Sequence, residues 1–319
     1  MISLCPFAPS RPSSKPLAVC IAALCGVSAA DALALGNTWN VTSCNDDNDA
    51  GTLRHVIAAP TTMSDDIVDL SGLACSTITL AAGATSIVIP QTSLRIQKTG
   101  GGHITIDGAA LKSGETDAED SRIFSHINPG RLTIQSVNLT GGHVFHLTNR
   151  AVGGCIRSLG DVELIDSTVS SCSAYSGAPA EGMFPAIGGG IFALGSVTLT
   201  RSTVSGNSAT STNFQASGGG IFAYGGVSLS YSSVTGNSAH STASGAYGGG
   251  IRSGDVSASY STISGNSVLG AAGYGAGGAI YTALDVTLRK STISNNYSSA
   301  AIGGIAAFAT NPGTRTSST

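Results

Sequence analysis

Three acidic residues that lie close together in the sequence are the best candidates for a catalytic site. Asp161 and Glu163 are two residues apart, so in a strand both carboxylates lie on one face, and Asp166 follows three residues later. Paired carboxylates supply the general acid and base of glycoside hydrolysis. Nearby residues that are candidates to approach them are Arg150, Arg157, His126, His143 and His146. The alternative, which we favour, is a solvated strand face followed by a turn.

The other acidic residues are poorly placed for catalysis or metal binding. From residue 182 onward only Asp255 and Asp285 carry carboxylates, each just before a strand. The segment Asn45–Gly51 resembles a calcium loop only in part, because Ala50 and Ile57 occupy positions that need oxygen ligands. The chain contains no phosphate-binding loop, no G-x-S-x-G and no H-E-x-x-H. We therefore predict no cofactor and no metal.

The N-terminal segment, residues 1–34, has the features of a secretory signal peptide. Arg11 and Lys15 precede the apolar segment Leu17–Val27, and small residues at positions 30–34 offer a cleavage site. The apolar segment is too short to span a bilayer comfortably, so we predict no membrane-spanning segment in the mature chain. We expect a secreted or cell-surface protein, associated with the outer membrane.

Removal of that segment leaves four cysteines, an even number that predicts disulfides in an exported protein. The four are Cys44, Cys75, Cys155 and Cys172. Three connectivities are open, and the pairs nearest in sequence are Cys44 with Cys75 and Cys155 with Cys172.

A repeated segment must position all these residues. Its copies begin at Leu132, Val162, Val197, Val227, Val256 and Val286. This nearly constant spacing lies in the range that indicates a stacked array of repeats. Each copy contains three short alternating strands separated by turns, without a helical period. We predict an all-β chain that forms a single-stranded right-handed parallel β-helix with an N-terminal cap.

The expected organisation is a signal peptide over residues 1–34, a cap and first coils over 35–110, β-helix repeats over 111–310 and a polar tail over 311–319. The composition agrees with this architecture, since 43 glycines occur without a Gly-X-Y period and 41% of residues are apolar. A net charge of −3 gives no reason to expect nucleic acid as a partner.

Stacking of the copies predicts columns of equivalent residues. The inward column is an isoleucine ladder, formed by Ile156, Ile191, Ile221, Ile251, Ile280 and Ile305. A corner column is an asparagine ladder, formed by Asn207, Asn237, Asn266 and Asn296, with Cys172 at the equivalent upstream place. The residues after the isoleucines should point outward, and they contain no carboxylate.

That outward column and the loops after the asparagines carry the candidate ligand-binding residues. Aromatic rings there are suited to sugars or to a protein surface. The alternative is that the rings cover the edges of the coils. The candidates are Arg157, Phe192, Phe222, Arg252 and Tyr281 in the column, and Phe214, Tyr247 and Tyr274 in the loops.

Several motifs resemble known bacterial proteins. The segment CNDDNDAGTLRHVI (Cys44–Ile57) resembles the opening of right-handed parallel β-helix proteins with a CSLREA-type N-terminal segment, with Thr52 and Val56 as departures. The repeats, including Gly277–Ile280 (GGAI), resemble those of polymorphic outer-membrane proteins, although Val or Ile replaces the Phe of FxxN. The resemblance implies a capped β-helix on a surface or secreted protein, with an adhesive or passenger role in some members.

These observations favour an adhesion or binding module that recognises glycans or a host or partner surface. A polysaccharide lyase or glycoside hydrolase of pectate-lyase-like architecture is the alternative, and Asp161, Glu163 and Asp166 would be its catalytic candidates. A structural passenger fragment of a larger surface protein is a third interpretation.

Overall fold

The computed structural model describes residues 36–59, 65–111, 119–177, 183–300, 302–307 and 316–318. The predicted signal peptide and most of the predicted tail lie outside these residues. The described chain is nearly all β and winds into a parallel β-helix of about eight turns, which confirms the predicted fold class.

Each complete coil contains five short strands, so the chain builds five sheets that are parallel except where Glu119–Ser121 pairs antiparallel with His143–His146. In chain order around one coil we call them sheets 1 to 5. The prediction of three strands per coil was therefore wrong. The two additional strands lie in the segments after the asparagine corner, where small Ser, Thr and Ala residues give a weak hydrophobic alternation.

The strands of sheet 1 are Thr38–Asn40, Asp66–Asp69, Leu94–Gln97, Arg131–Gln135, Asp161–Ile165, Val197–Thr200, Val227–Ser230, Val256–Ser259, Val286–Arg289 and Thr316–Ser318. Those of sheet 2 are Thr77–Thr79, Ile104–Asp107, Val137–Thr140, Thr168–Ser170, Thr203–Ser205, Ser233–Thr235, Thr262–Ser264 and Thr292–Ser294. Those of sheet 3 are Glu119–Ser121, His143–His146, Ser173–Ser176, Ser208–Ser211, Ser238–Ser241, Ser267–Leu269 and Tyr297–Ser298. Those of sheet 4 are Ala151–Val152, Ala186–Ile187, Ala216–Ser217, Ala246–Tyr247 and Gly275–Ala276. Those of sheet 5 are Ile87–Ile89, Phe124–His126, Ile156–Ser158, Ile191–Ala193, Ile221–Ala223, Ile251–Ser253, Ile280–Thr282 and Ile305–Ala307.

The predicted isoleucine ladder forms the inward face of sheet 5. Ile156 pairs with Ile191, and the same register continues coil by coil to Ile305. The ladder side chains from Ile156 to Ile280 are fully buried. Burial of each contributes about 1.5–3 kcal/mol, so the stacked column is a main source of stability.

The predicted asparagine ladder is also present and joins successive coils. The Asn207 side-chain amide donates to Oδ1 of Asn237 at 2.9 Å, and Asn237 donates to Asn266 at the same distance. The same oxygens accept backbone N–H groups from the preceding coil. Cys172 takes the upstream position, where its backbone N–H donates to Oδ1 of Asn207.

Two disulfides join Cys44 to Cys75 and Cys155 to Cys172, the two pairs nearest in sequence. The second lies in the main hydrophobic core at the start of the asparagine corner. The first belongs to the N-terminal region.

A short α-helix, Leu53–Ala58, lies near the N-terminal end of the described β-helix, where it packs against the sheet 5 strand Ile87–Ile89. The Thr52 side chain caps it by accepting the His55 N–H, and Leu53, Val56 and Ile57 are buried beneath it. Arg54 donates to both carboxylate oxygens of Asp46. Asp46 belongs to the segment that was compared with a calcium loop. Its contact with Arg54 holds the helix in place.

Sheets 3 and 4 pack against each other around a second, smaller core. We call it the alanine core, since its members are Ala216, Ala239, Ala246 and Val268. Side chains this small let two strands approach closely. The part of each coil that lies beyond the main core, formed by sheets 3 and 4, is therefore also well packed.

Candidate functional site

The outward face of sheet 1 carries a groove with a volume of 490 Å³. We call it the sheet 1 groove. Asp161 and Glu163, two of the three predicted catalytic candidates, lie in its wall. Its lining residues are Asp65, Ser93, Leu94, Arg95, Gly130, Arg131, Thr133, Asp161 and Glu163.

Strand alternation and register place the polar side chains of the groove side by side. Arg131 pairs with Asp161 on the next strand, and Thr133 pairs with Glu163. Arg95 pairs with Thr133 from the preceding coil. These residues occupy alternate positions, so their side chains share the outward face while their neighbours fill the core.

Two carboxylates of the groove, those of Asp161 and Glu163, are each held by a neighbour. Oε2 of Glu163 accepts the Thr133 hydroxyl at 3.1 Å and lies 3.7 Å from Nη1 of Arg131. Oδ1 of Asp161 accepts the Ser196 backbone N–H at 2.8 Å. Arg95 donates to the side-chain oxygen of Gln135 at 2.6 Å. The groove is thus a preorganised row of donors and acceptors with both signs of charge.

The structure places Asp166, the third catalytic candidate, away from this groove. It lies at the corner after sheet 1, where its two oxygens accept Nε and Nη2 of Arg201 at 2.6 and 2.7 Å. The hydrogen bonds from Arg201 lower the pKa of the Asp166 carboxyl. An exposed, permanently paired carboxylate of this kind is unsuited to proton transfer.

None of the histidines considered as partners is among the described residues that line the groove. His126 is fully buried, with Nε2 3.0 Å from the carbonyl oxygens of Gln91 and Thr92. Carbonyls only accept, so Nε2 carries the hydrogen and Nδ1 accepts from Ser158 Oγ at 2.8 Å. Burial lowers the pKa of His126. His143 and His146 lie on sheet 3.

The predicted outward column of sheet 5 has the expected register, from Arg157 through Phe192, Phe222 and Arg252 to Tyr281. Its phenylalanines, however, are not available to a ligand. Phe192 and Phe222 are 3% and 7% exposed and pack with Val152 and Ile187 of sheet 4. The rings point out of the main core and are then covered by strands that were predicted as loops.

Arg252 is half-buried, and its guanidinium contacts other side chains of the molecule. Its guanidinium lies 5.3 to 5.6 Å from the ring centroids of Phe222, Tyr247 and Tyr281. It also donates to Ser217 Oγ at 2.5 Å. Burial lowers the pKa of this guanidinium. Cation–π contacts offset part of that desolvation, and the arrangement holds sheet 4 against sheet 5.

The remaining predicted ligand-binding residues differ in exposure. Arg157 and Phe214 are half-buried, whereas Tyr274 is 68% exposed. The eight candidates therefore do not form one open binding face.

Sequence reasoning missed a column of residues at the corner between sheets 1 and 2. The backbone there has positive φ, between 46° and 54°, in six successive coils. The available signal was the equal spacing of bulky residues directly before each Ser-Thr or Ser-Ser turn. The column is Ser136, Asp166, Arg201, Tyr231, Tyr260 and Lys290.

Comparisons with models of known families, with curated proteins and with solved structures find no match to this chain. Within the described part of the chain, no helix has the length and apolar character needed to cross a bilayer. Among the same residues, no three His, Cys, Asp or Glu side chains come together in a way that would hold a metal ion.

Proposed function

We propose that this protein is a binding module that holds a glycan chain in the sheet 1 groove without cleaving it. The observation that carries the proposal is the row of polar side chains across four neighbouring strands. Strands lie about 4.8 Å apart, so this row extends over roughly 14 Å. An extended chain of hydroxyl groups both donates and accepts, which matches Arg95 and Arg131 beside Asp161 and Glu163.

Binding is favoured over catalysis by the state of the carboxylates. Asp161 and Glu163 each accept a hydrogen bond from a fixed neighbour, and Asp166 is committed to Arg201. The described lining of the groove contains no histidine. A catalytic acid or base must reach the reacting atoms of the substrate, and these hydrogen bonds hold the carboxylates against their own neighbours.

A polysaccharide lyase or glycoside hydrolase is the second candidate, and one observation favours it. Asp161 and Glu163 share a face and are two residues apart, which separates their attachment points by about 6.6 Å. That separation is wide enough for a glycosidic bond of the substrate to lie between the two carboxylates. Arg131 lies beside Glu163.

We also propose that the protein is exported and displayed at the cell surface, associated with the outer membrane. The signal-like segment over residues 1–34 supports this location. Two disulfides suit an oxidising compartment. The resemblance of the cap segment and the repeats to surface β-helix proteins supports it further.

The test of binding is a glycan array followed by calorimetry with the best ligand. Arg95→Ala and Glu163→Ala should each weaken binding by about tenfold or more, since hydrogen bonds to charged groups contribute about 1.5–3 kcal/mol. The matched control is Arg150→Ala, which removes an exposed arginine that does not line the groove.

Equal affinity of wild-type and both groove variants would place the ligand elsewhere. Appearance of new reducing ends or unsaturated products during incubation with the ligand would overturn the binding proposal. If Glu163→Gln then abolished that release, the enzyme interpretation would replace it.

A further inference from the structure

We propose a second binding site, separate from the sheet 1 groove, that takes an acidic polysaccharide along the corner between sheets 1 and 2. We call it the corner ladder, and it consists of Arg201, Tyr231, Tyr260 and Lys290. These residues occupy the same corner position in four successive coils.

Backbone strain is the first observation that supports the site. Tyr231 and Tyr260 both have φ of 51°, a conformation that bulky side chains rarely adopt. Six successive coils adopt this conformation at the corner, and Asp166 shows that a small polar residue meets the need upstream. The corner therefore requires the conformation but not a tyrosine, and strained residues are concentrated at functional sites.

Exposure is the second observation. The tyrosines are 61% and 40% exposed, so burial does not offset the strain. Their rings stack in parallel, 4.8 Å apart and inclined by 7°, because they extend from neighbouring coils. The two exposed rings therefore form a row along the β-helix axis.

Positive charge at the Lys290 end of the ladder is the third observation. Lys290 Nζ lies 5.0 Å from the Tyr260 ring centroid and donates to its hydroxyl at 3.1 Å. Arg201, one coil before Tyr231, is exposed although it pairs with Asp166. Arg289 adds a further exposed cation beside Lys290.

Asp166 offsets the charge of Arg201, whereas the outward residues that flank the rest of the ladder carry no negative charge. The outward residues of sheet 1 nearest the ladder are Thr200, Ser230 and Ser259. The outward residues of sheet 2 on the other side are also Ser and Thr, from Thr203 to Thr292. Asp255 and Asp285 lie at the opposite ends of the sheet 1 strands.

These features together define the ligand class. Arg201 and Lys290 are three coils apart, about 14 Å, so one extended chain that lies along the axis contacts both cations and the two hydroxyls between them. Carboxylate or sulfate groups on that chain complement the cations. The sugar hydroxyls complement the tyrosine hydroxyls and the flanking serines and threonines.

The test uses the full chain with polygalacturonate and heparin as carboxylated and sulfated probes, and with dextran as a neutral probe. Wild-type protein should bind at least one acidic probe in a salt-dependent manner and dextran much more weakly. A double variant, Tyr231→Asn with Tyr260→Asn, should lose about tenfold or more in affinity. Its Tm should stay equal or rise, since asparagine tolerates positive φ.

Lys290→Gln should weaken binding and reduce its salt dependence. The matched control is Tyr274→Ser, which removes an exposed tyrosine outside the ladder and should leave affinity unchanged. The double variant should keep the wild-type affinity for the glycan selected on the array, so failure of this site is distinguishable from failure of the sheet 1 groove.

Three results would overturn the proposal. The first is absence of binding of the wild-type protein to both acidic probes. The second is unchanged affinity in the double variant together with a lower Tm, which would make the ring stack structural. The third is a wild-type dimer that the double variant dissociates, with no binding to the acidic probes, because the ladder would then be a contact between copies.

Discussion

At the scale of single residues, the buried polar groups are the parts of the molecule most sensitive to conditions. His126 is enclosed between two coils, and both ring nitrogens are used by Ser158 and by backbone carbonyls. Ser158 Oγ also accepts the Gly160 N–H. Protonation of Nδ1 would remove the acceptor of this network, so the native state requires the neutral ring.

We predict that this histidine makes stability fall as the pH is lowered below about 6.5. Burial lowers the pKa of His126 in the native state, so the unfolded chain binds a proton first, near its ordinary pKa of about 6.5. The loss accumulates from there down to the lowered native pKa. Urea unfolding at several pH values should show this slope in wild-type protein.

His126→Gln is the comparison, because it removes the titrating group. Its unfolding free energy should be lower throughout and should change less over the same pH window. An identical slope in both proteins would contradict this role for His126.

The asparagine ladder supports a second prediction at this scale. Asn237 is fully buried and bonds to coils on both sides. Asn237→Ala should lower the free energy of unfolding by about 2–4 kcal/mol, since it leaves buried donors and acceptors unpaired. Chemical unfolding would measure it, with Asn138→Ala on the outward face of sheet 2 as the control. A loss no larger than that of the control would show that the ladder adds little.

At the scale of elements, each coil contains strands that the sequence pattern predicts and others that it does not reveal. Isoleucines and asparagines recur once in each clear copy of the repeat, and this periodicity predicted the ladders of sheet 5 and of the corner. Sheets 3 and 4 were not predicted, because Ser208–Ser211 and Ala216–Ser217 lack large apolar residues. The burial of Phe192 and Phe222 followed from those unpredicted strands.

The alanine core supports a prediction about paired volumes. Ala239 pairs with Val268 on sheet 3, and Ala246 pairs with Gly275 on sheet 4, so one coil has two alanines where the next has valine and glycine. A Cβ added to Gly275 would lie 2.8 Å from Val268 Cγ1. Gly275→Ala should therefore destabilise the protein by about 1–3 kcal/mol.

The double variant Gly275→Ala with Val268→Ala recreates the alanine pair of the preceding coil. We expect it to be more stable than Gly275→Ala alone, with a coupling energy of about 1 kcal/mol or more between the two sites. Thermal or urea unfolding of the four proteins in this cycle would show it. If the changes in unfolding free energy of the two single variants simply add in the double variant, the two side chains do not compete for space.

At the scale of the whole molecule, the β-helix places side chains from distant parts of the sequence in straight rows on its surface. Alternation alone predicted that Asp161 and Glu163 share a face. The copies that begin at Leu132 and Val162 also align Arg131 with Asp161, a pairing that was not drawn from the sequence. Arg95 was not predicted beside them, because the first coils diverge from the repeat and their register was not apparent. The corner ladder was also missed, since the spacing of its residues is visible in the repeat but their positive φ is not.

The most direct test of the account is a crystal structure of the protein with the glycan selected on the array. We predict density for an intact chain in the sheet 1 groove, within hydrogen-bond distance of Arg95, Arg131 and Glu163. Density at another surface, or a chain cut between Asp161 and Glu163, would contradict the claim that this groove binds a glycan without cleaving it.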